Sequence, residues 1–242
     1  MSEDTEATEE PTVQPDSDEK AKADNQEAMK SRFKLIEGEE VLLTKQPSGV
    51  GFLNMYLLGL LVFAVHLLFW KPDMLVNEES GGVAKAIVWL MGLGGSKLPF
   101  GFVLVMTTIT WFNRMLNSST SGKWVTVWLL VATLLPVLIQ IDGLIALIRD
   151  LFTDTDVEPF LGFEYNFLFA GIALTLAFWG LVFYYQRSFD YAITSNAVIF
   201  KHAFLLSRAH RRILFDRISE VQVERTPTGT ITGYATLTII TD

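Results

Sequence analysis

Three ionisable side chains stand inside long apolar runs of this chain: His66, Asp142 and Glu164. One imidazole with two carboxylates can relay a proton or hold a cation, and an ionisable group at membrane depth is a functional candidate by default. All three also lie toward the same end of their segments, where each can simply reach interfacial water. A second group is cationic. Lys201, Arg208, His210, Arg211 and Arg212 flank the apolar Phe204-Leu205-Leu206. Each cation near an anionic leaflet contributes about 1 kcal/mol, so Lys201, Arg208, Arg211 and Arg212 are candidates for contact with lipid head groups or a partner. The competing reading is a solvated loop whose arginines pair with Asp216, Glu220 and Glu224.

No catalytic constellation accompanies these residues. There is no glycine-rich phosphate loop, no HExxH and no nucleophile elbow, and His66, His202 and His210 fall on different elements. Cysteine is absent, which removes thiol nucleophiles, disulfides and Cys-ligated zinc. A non-enzymatic protein without metal or cofactor is the expectation. Nucleic acid is a weak partner for it, because residues 186–242 carry seven basic against five acidic groups with few aromatics between them.

The elements that must hold these side chains are mostly apolar. Half of the 242 residues are hydrophobic, with 18 Phe, 6 Trp and 6 Tyr. The net charge of −8 is a property of residues 1–28, where ten carboxylates face Lys20 and Lys22, and the remainder balances. That acidic stretch has almost no large apolar side chain and reads as disordered. Its acidic start is unlike a signal peptide, so the first hydrophobic span must serve as the anchor. Residues 29–49 form a membrane-proximal segment.

Residues 50–185 read as four transmembrane helices near 51–70, 92–112, 124–148 and 160–185, each approaching the roughly 20 residues that a ~30 Å hydrocarbon layer requires. The second is interrupted by Gly92 to Pro99, so 83–112 either crosses once as a kinked span, with Lys97 snorkelling, or forms a re-entrant or hairpin pair. Pro136 kinks the third. Ala173, Ala177 and Gly180 give the fourth a small-residue face that suits internal packing or oligomerisation equally.

Arg32, Lys34 and Lys45, then Arg114 and Lys123, then Arg187 place three sides in the cytoplasm. Asp73, Glu78 and Glu79, with Asp150, Asp154, Asp156 and Glu158, mark the outer loops. The expectation is a multi-pass cell-membrane protein with both termini inside. Asn117-Ser118-Ser119 matches a glycosylation sequon but faces the cytoplasm on this topology.

After Arg187 the pattern changes to strand alternation, with Phe189, Tyr191 and Ile193 opposite Ser188, Asp190 and Ala192. Strands follow at Ala197–His202, Arg211–Phe215, Val221–Arg225 and Ala235–Thr241, with Thr226-Pro227-Thr228-Gly229 as a type I turn. The runs Tyr191-Ala192-Ile193-Thr194-Ser195-Asn196, Ile213 to Val221 and Gly233-Tyr234-Ala235-Thr236-Leu237 resemble the bacterial pleckstrin-homology-like (PH-like) domain of prokaryotic integral membrane proteins. Gly38-Glu39-Glu40-Val41-Leu42 and Gln46-Pro47-Ser48 are similar to how such proteins begin.

The resemblance implies a membrane α-helical bundle followed by a small cytoplasmic β-rich PH-like domain over 186–242. It also implies a non-catalytic role in binding a protein partner or in self-association, with membrane lipids as a second contact. A small transporter or channel using His66, Asp142 and Glu164 is the alternative. Two departures stand out: Ala197 replaces a frequent Arg, and His202-Ala203 replaces a frequent turn glycine, which suggests a wider hairpin. The chain also stops at Asp242, where the family's sheet usually continues, so either the domain is abbreviated or the sequence is incomplete.

Overall fold

The computed structural model describes residues 17–71, 81–93, 99–115, 123–153, 164–225, 227–233 and 235–242. It divides into two compact units. One joins Met1–Pro47 to Arg187–Asp242, and the other is Ser48–Gln186. Lys97, the sequon at Asn117, and the loop acids Asp73, Glu78, Glu79, Asp154, Asp156 and Glu158 lie outside the described residues.

The first unit is a sheet with a helix on one face. α1 (Ser17–Phe33) precedes β1 (Val41–Lys45), and after the helical unit come β2 (Phe189–Thr194), β3 (Ala197–Phe204) and β4 (Ser207–Leu214). These strands form an antiparallel sheet in the order β1-β2-β3-β4. Residues 29–49 are thus not a separate segment, because they supply both an edge strand and part of the core. Phe33, Ala192 and Ile199 are that core, with Met29, Leu35 and Val41 packed around it.

Residues 17–28 were expected to share the disorder of the acidic tail, and they are helical instead. Their Ala, Lys, Glu and Gln are strong helix formers, and burial of Phe33 at the far end anchors the helix so that it can extend backward. Residues 1–16 lie outside the described residues. The helix stops in a Schellman arrangement. Lys34 takes φ +52°, and Leu35 N–H bonds the Lys30 carbonyl at 3.2 Å.

β5 (Ile218–Glu224) and β6 (Thr236–Thr241) make a separate two-stranded sheet. The turn expected at Pro227 is instead a short helix, Pro227–Thr232, with proline first, where its missing N–H costs nothing.

The second unit is helical. A 3₁₀ turn (Gly49–Phe52) leads into α2 (Leu53–Trp70), followed by α3 (Gly82–Met91), α4 (Phe100–Met115), α5 (Lys123–Ile139), α6 (Ile141–Thr153) and α7 (Phe167–Arg187). Two helices, Gly49–Trp70 and Phe167–Arg187, are long and apolar enough to cross a membrane; Lys123–Ile139 with Ile141–Phe152 makes a third if that bent pair is one span. Four continuous spans are not found among the described residues. The expected 124–148 span bends by 65° at Gln140. Pro136 leaves the Ala132 carbonyl without its helical donor, and Asp142 Oδ1 accepts the Gly143 N–H at 2.9 Å as α6 begins. The segment 83–112 is divided between α3 and α4, and of the span expected near 92–112 the helix found is α4. α4 has 16 residues, roughly 24 Å of rise against ~30 Å of hydrocarbon. Gly101 lies against the Leu90 carbonyl so closely that no Cβ fits.

Close contact in this unit also depends on glycine. A Cβ on Gly59 would fall 2.5 Å from Trp179 Nε1, and one on Gly171 would fall 2.6 Å from His66 Cβ. Trp179 donates to the Tyr56 carbonyl at 3.1 Å. Ala173, Ala177 and Gly180 instead face outward, and a Cβ on Gly180 would meet nothing within 4 Å. Gly171→Ala is therefore expected to lower stability by about 1–3 kcal/mol through overpacking, whereas Gly180→Ala leaves it unchanged. Thermal melts of detergent-solubilised protein followed by tryptophan fluorescence check this, and equal melting temperatures for the two variants would contradict the packing described.

Candidate functional site

The cationic cluster lies on a strand, not on a loop. β4 pairs with β3 in the register Lys201↔His210, Phe200↔Arg211 and Ile199↔Arg212, so Arg208, His210 and Arg212 share the face that carries Ile199 and Lys201, and Arg211 lies on the other. The structure then separates the four candidates by what they touch.

Arg212 is half-buried and its Nη2 lies 2.6 Å from Glu39 Oε2. Glu39 is 2% exposed. Its Oε2 also accepts the Ile36 N–H at 3.1 Å, and its Oε1 accepts the Thr194 hydroxyl. That hydroxyl in turn accepts the Ala197 N–H at 3.0 Å, which fixes the β2–β3 turn. Burial would raise the Glu39 carboxyl, but the hydrogen bonds from Thr194, Ile36 and Arg212 and the charge of Arg212 together hold it below its ordinary 4.5. Arg212's partner is thus Glu39, not Asp216, Glu220 or Glu224.

Lys201 is also engaged. Its Nζ donates to the Arg32 carbonyl at 3.0 Å, and His210 Nε2 donates to the Phe33 carbonyl at 3.2 Å. Both carbonyls belong to the last turn of α1, where backbone acceptors lack helical partners and the dipole favours cations. Arg32 itself pairs with Asp190 at 2.5 Å. Arg208 and Arg211 are exposed, and among the described residues neither has an ion-pair partner.

On the opposite face, Phe189 stacks on His202 with ring centroids 4.2 Å apart, and Tyr191 meets Phe200 edge-on at 5.6 Å. Burial lowers the His202 imidazole from its ordinary 6.5, which keeps it out of the cationic set, and raises the Tyr191 phenol. A cavity of about 420 Å³ opens between α1 and β1, beside Met29, Lys30, Leu35, Glu39 and Thr44. Its one buried carboxylate is the Glu39 already bonded to Arg212 and Thr194, so no free acid or base lines it from that position.

His66, Asp142 and Glu164 do not assemble a metal site: no group of three His, Asp or Glu side chains able to hold an ion occurs among the described residues. His66 is fully buried, donates from Nδ1 to the Val62 carbonyl at 2.8 Å and accepts at Nε2 from the Tyr165 hydroxyl at 3.2 Å. Phe102 lies edge-on to it at 4.8 Å. Asp142 is buried at the start of α6, and Glu164 is exposed.

Two features escaped the sequence reading. Glu39 was visible only as part of a motif, and its role depends on a partner far along the chain. The β3–β4 turn is Leu205–Leu206, since Phe204 pairs with Ser207. Leu205 adopts φ +49°, a conformation that glycine or asparagine usually supplies. The signal was present as two leucines at a hairpin position that normally takes turn residues.

Residues 124–242 match the family model of the bacterial PH domain. The chain carries a bacterial PH domain. The match takes in α5, α6 and α7 as well as β2 to β6, so the PH segment continues back into the helical unit. No curated protein and no solved structure matches the chain.

Removing the charge at the PH sheet's buried node tests this account. Glu39→Gln leaves Arg212 without its counter-ion and is expected to cost about 3 kcal/mol, near the low end for a buried pair because Arg212 keeps some solvent. Hydrogen exchange of β2–β4 peptides should then accelerate about 100-fold. A carboxyl held below 4.5 stabilises the fold above that pH and loses the contribution as pH falls through its folded value. Wild type should therefore show a protection loss below pH 4.5 that Glu39→Gln lacks; identical pH profiles would refute the assignment.

Proposed function

We propose that this chain is a non-catalytic, multi-pass membrane protein with both termini in the cytoplasm. Its PH-like sheet binds a protein partner or packs with copies of itself at the membrane surface, and lipid head groups are a second contact. One observation carries the reading. β1 runs into the Gly49–Trp70 helix after Lys45, α7 runs into β2 across Ser188, and β1 and β2 pair with each other, Lys45 opposite Tyr191. In sequence, both helices long and apolar enough to cross a membrane therefore directly adjoin paired strands of the sheet.

Three further features support it. PH domains are typically interaction modules without catalytic residues, and the charges on this sheet are either structural or solvent-facing. The helices turn Leu57, Leu60, Leu134, Phe169 and Leu176 outward, an arrangement that lipid satisfies and water does not. The β5–β6 hairpin exposes Val221, Val223 and Leu237 on one face, and a two-stranded hairpin is marginal without a neighbour. That face suits a protein surface.

The test is cross-linking of the full chain in native membranes. Val221→Asp with Val223→Asp should reduce the cross-linked species, self-adducts included, at least several-fold while leaving membrane insertion intact. An undiminished adduct pattern, or protein recovered in buffer without detergent, would remove the proposal.

A further inference from the structure

α6 is amphipathic in the reverse sense from a helix on a protein in water. At about 100° per residue, Ile141, Ile145, Ile148, Leu151 and Phe152 share an arc of about 120°, and Asp142, Gly143, Ala146 and Asp150 fill the opposite side. The polar and small side is the one turned into the protein. Asp142 is 8% exposed, Ala146 is 2% exposed, and Gly143 is buried with them. All five large apolar side chains face outward, Leu151 and Phe152 at 79% and 83% exposure. An apolar surrounding makes that orientation favourable, and water does not.

The break before α6 sets how this face meets a bilayer. α5 has 17 residues and rises roughly 25 Å, most of a ~30 Å hydrocarbon layer. α6 has 13 residues and departs from the α5 direction by 65°. Its roughly 20 Å of length therefore advances only about 8 Å along the α5 axis, the thickness of a head-group and acyl boundary and far short of a crossing. The outward apolar stripe runs through the break, from Leu130, Leu134 and Leu138 on α5 to Ile141, Ile145 and Ile148 on α6. A straight helix from a second copy can follow that stripe on one side of the 65° bend but not on both, whereas fluid acyl chains follow both. Arg149 is exposed one turn beyond Ile145, at the margin of the apolar arc, where its stem can lie along hydrocarbon while its guanidinium stays among phosphates.

We propose that α6 lies in the head-group and acyl boundary as an interfacial helix, with the face from Ile141 to Phe152 on lipid, and that α5 makes the crossing without it. This rests on the membrane reading above and adds to it a lipid-contacting surface of the helical unit outside the spans.

The chain has no cysteine, so spin labels can be placed one at a time. Two pairs of exposed sites seven residues apart are used in the full chain: Ile145→Cys and Phe152→Cys on α6, and Phe169→Cys and Leu176→Cys on α7. After reconstitution into vesicles of phosphatidylcholine and phosphatidylglycerol, power saturation with oxygen and with a water-soluble nickel chelate reads the depth of each label. Seven residues rise roughly 10 Å, so the two α7 labels should differ in depth by about that much. The two α6 labels should differ by about 4 Å, both accessible to oxygen and both within about 10 Å of the phosphates.

A depth difference of about 10 Å on α6 as well makes it part of a span or of a re-entrant segment and overturns the proposal. Labels on α6 shielded from both reagents are covered by protein and overturn it too, with spin–spin broadening at singly labelled sites identifying that cover as a second copy. Full nickel access on α6, with the α7 labels in lipid, places α6 in water and overturns it while the membrane reading stands. Full nickel access at all four sites removes the membrane reading itself.

Discussion

The buried carboxylate of Glu39 is the constraint on which the sheet unit depends. An ionised group with 2% exposure is tolerated only when its oxygens are satisfied, and here one backbone N–H, one hydroxyl and one guanidinium do so. Those donors come from the segment before β1, from the end of β2 and from β4. A single side chain thus fixes the relative register of three pieces of chain. The Thr194 hydroxyl extends the effect by accepting from Ala197, so the β2–β3 turn is set by the same charge. Such a node contributes specificity as well as stability, because a one-residue slip of any strand would leave a buried charge unpaired.

The node joins residues 155 apart, and a free loop of that length costs about 4 kcal/mol to close. The intervening chain is not a free loop. Within the helical unit Gly49 lies against the Gln186 side chain and Phe52 meets Tyr185 edge-on at 5.8 Å, so that unit brings its own two ends together. The sheet unit does the same where Lys45 pairs with Tyr191. Each unit presents neighbouring ends to the connections, which is the condition for inserting a helical unit into a sheet without straining either.

How much of this was legible in the sequence follows from how local each signal is. The long apolar helices Gly49–Trp70 and Phe167–Arg187 were readable because an apolar run of that length is a local property of the sequence. The alternation of Phe189, Tyr191 and Ile193 against Asp190 and Ala192 gave β2 directly, since a period of two is a local property. The roles of Lys201 and Arg212 were not readable. Their partners, the Arg32 carbonyl and Glu39, lie 169 and 173 residues away, and nothing near either cation indicates them. The break at Gln140 was misplaced for a related reason. Pro136 marks a weakness in the hydrogen-bond ladder, but the bend develops one turn later, where Asp142 bonds the adjacent backbone. α1 was missed because a helix of this length is marginal on its own even when built of good helix formers, and the burial of Phe33 that anchors it is a tertiary event.

The polar groups inside the helical unit follow the same logic as Glu39 on a smaller scale. Thr110 and Thr133 return their hydroxyls to the carbonyls of Met106 and Leu129 at 2.8 and 2.7 Å, and His66 uses both ring nitrogens within the protein. Wherever a polar group is buried away from water, it needs an internal partner whatever else it does. An ionisable residue in an apolar helix is informative about transport only when some of its bonding capacity remains open toward a path. His66 spends its capacity on Val62 and Tyr165, and Gly171 lies against its Cβ, so the histidine that drew attention in the sequence is better explained as the polar pin that sets the approach of α2 and α7.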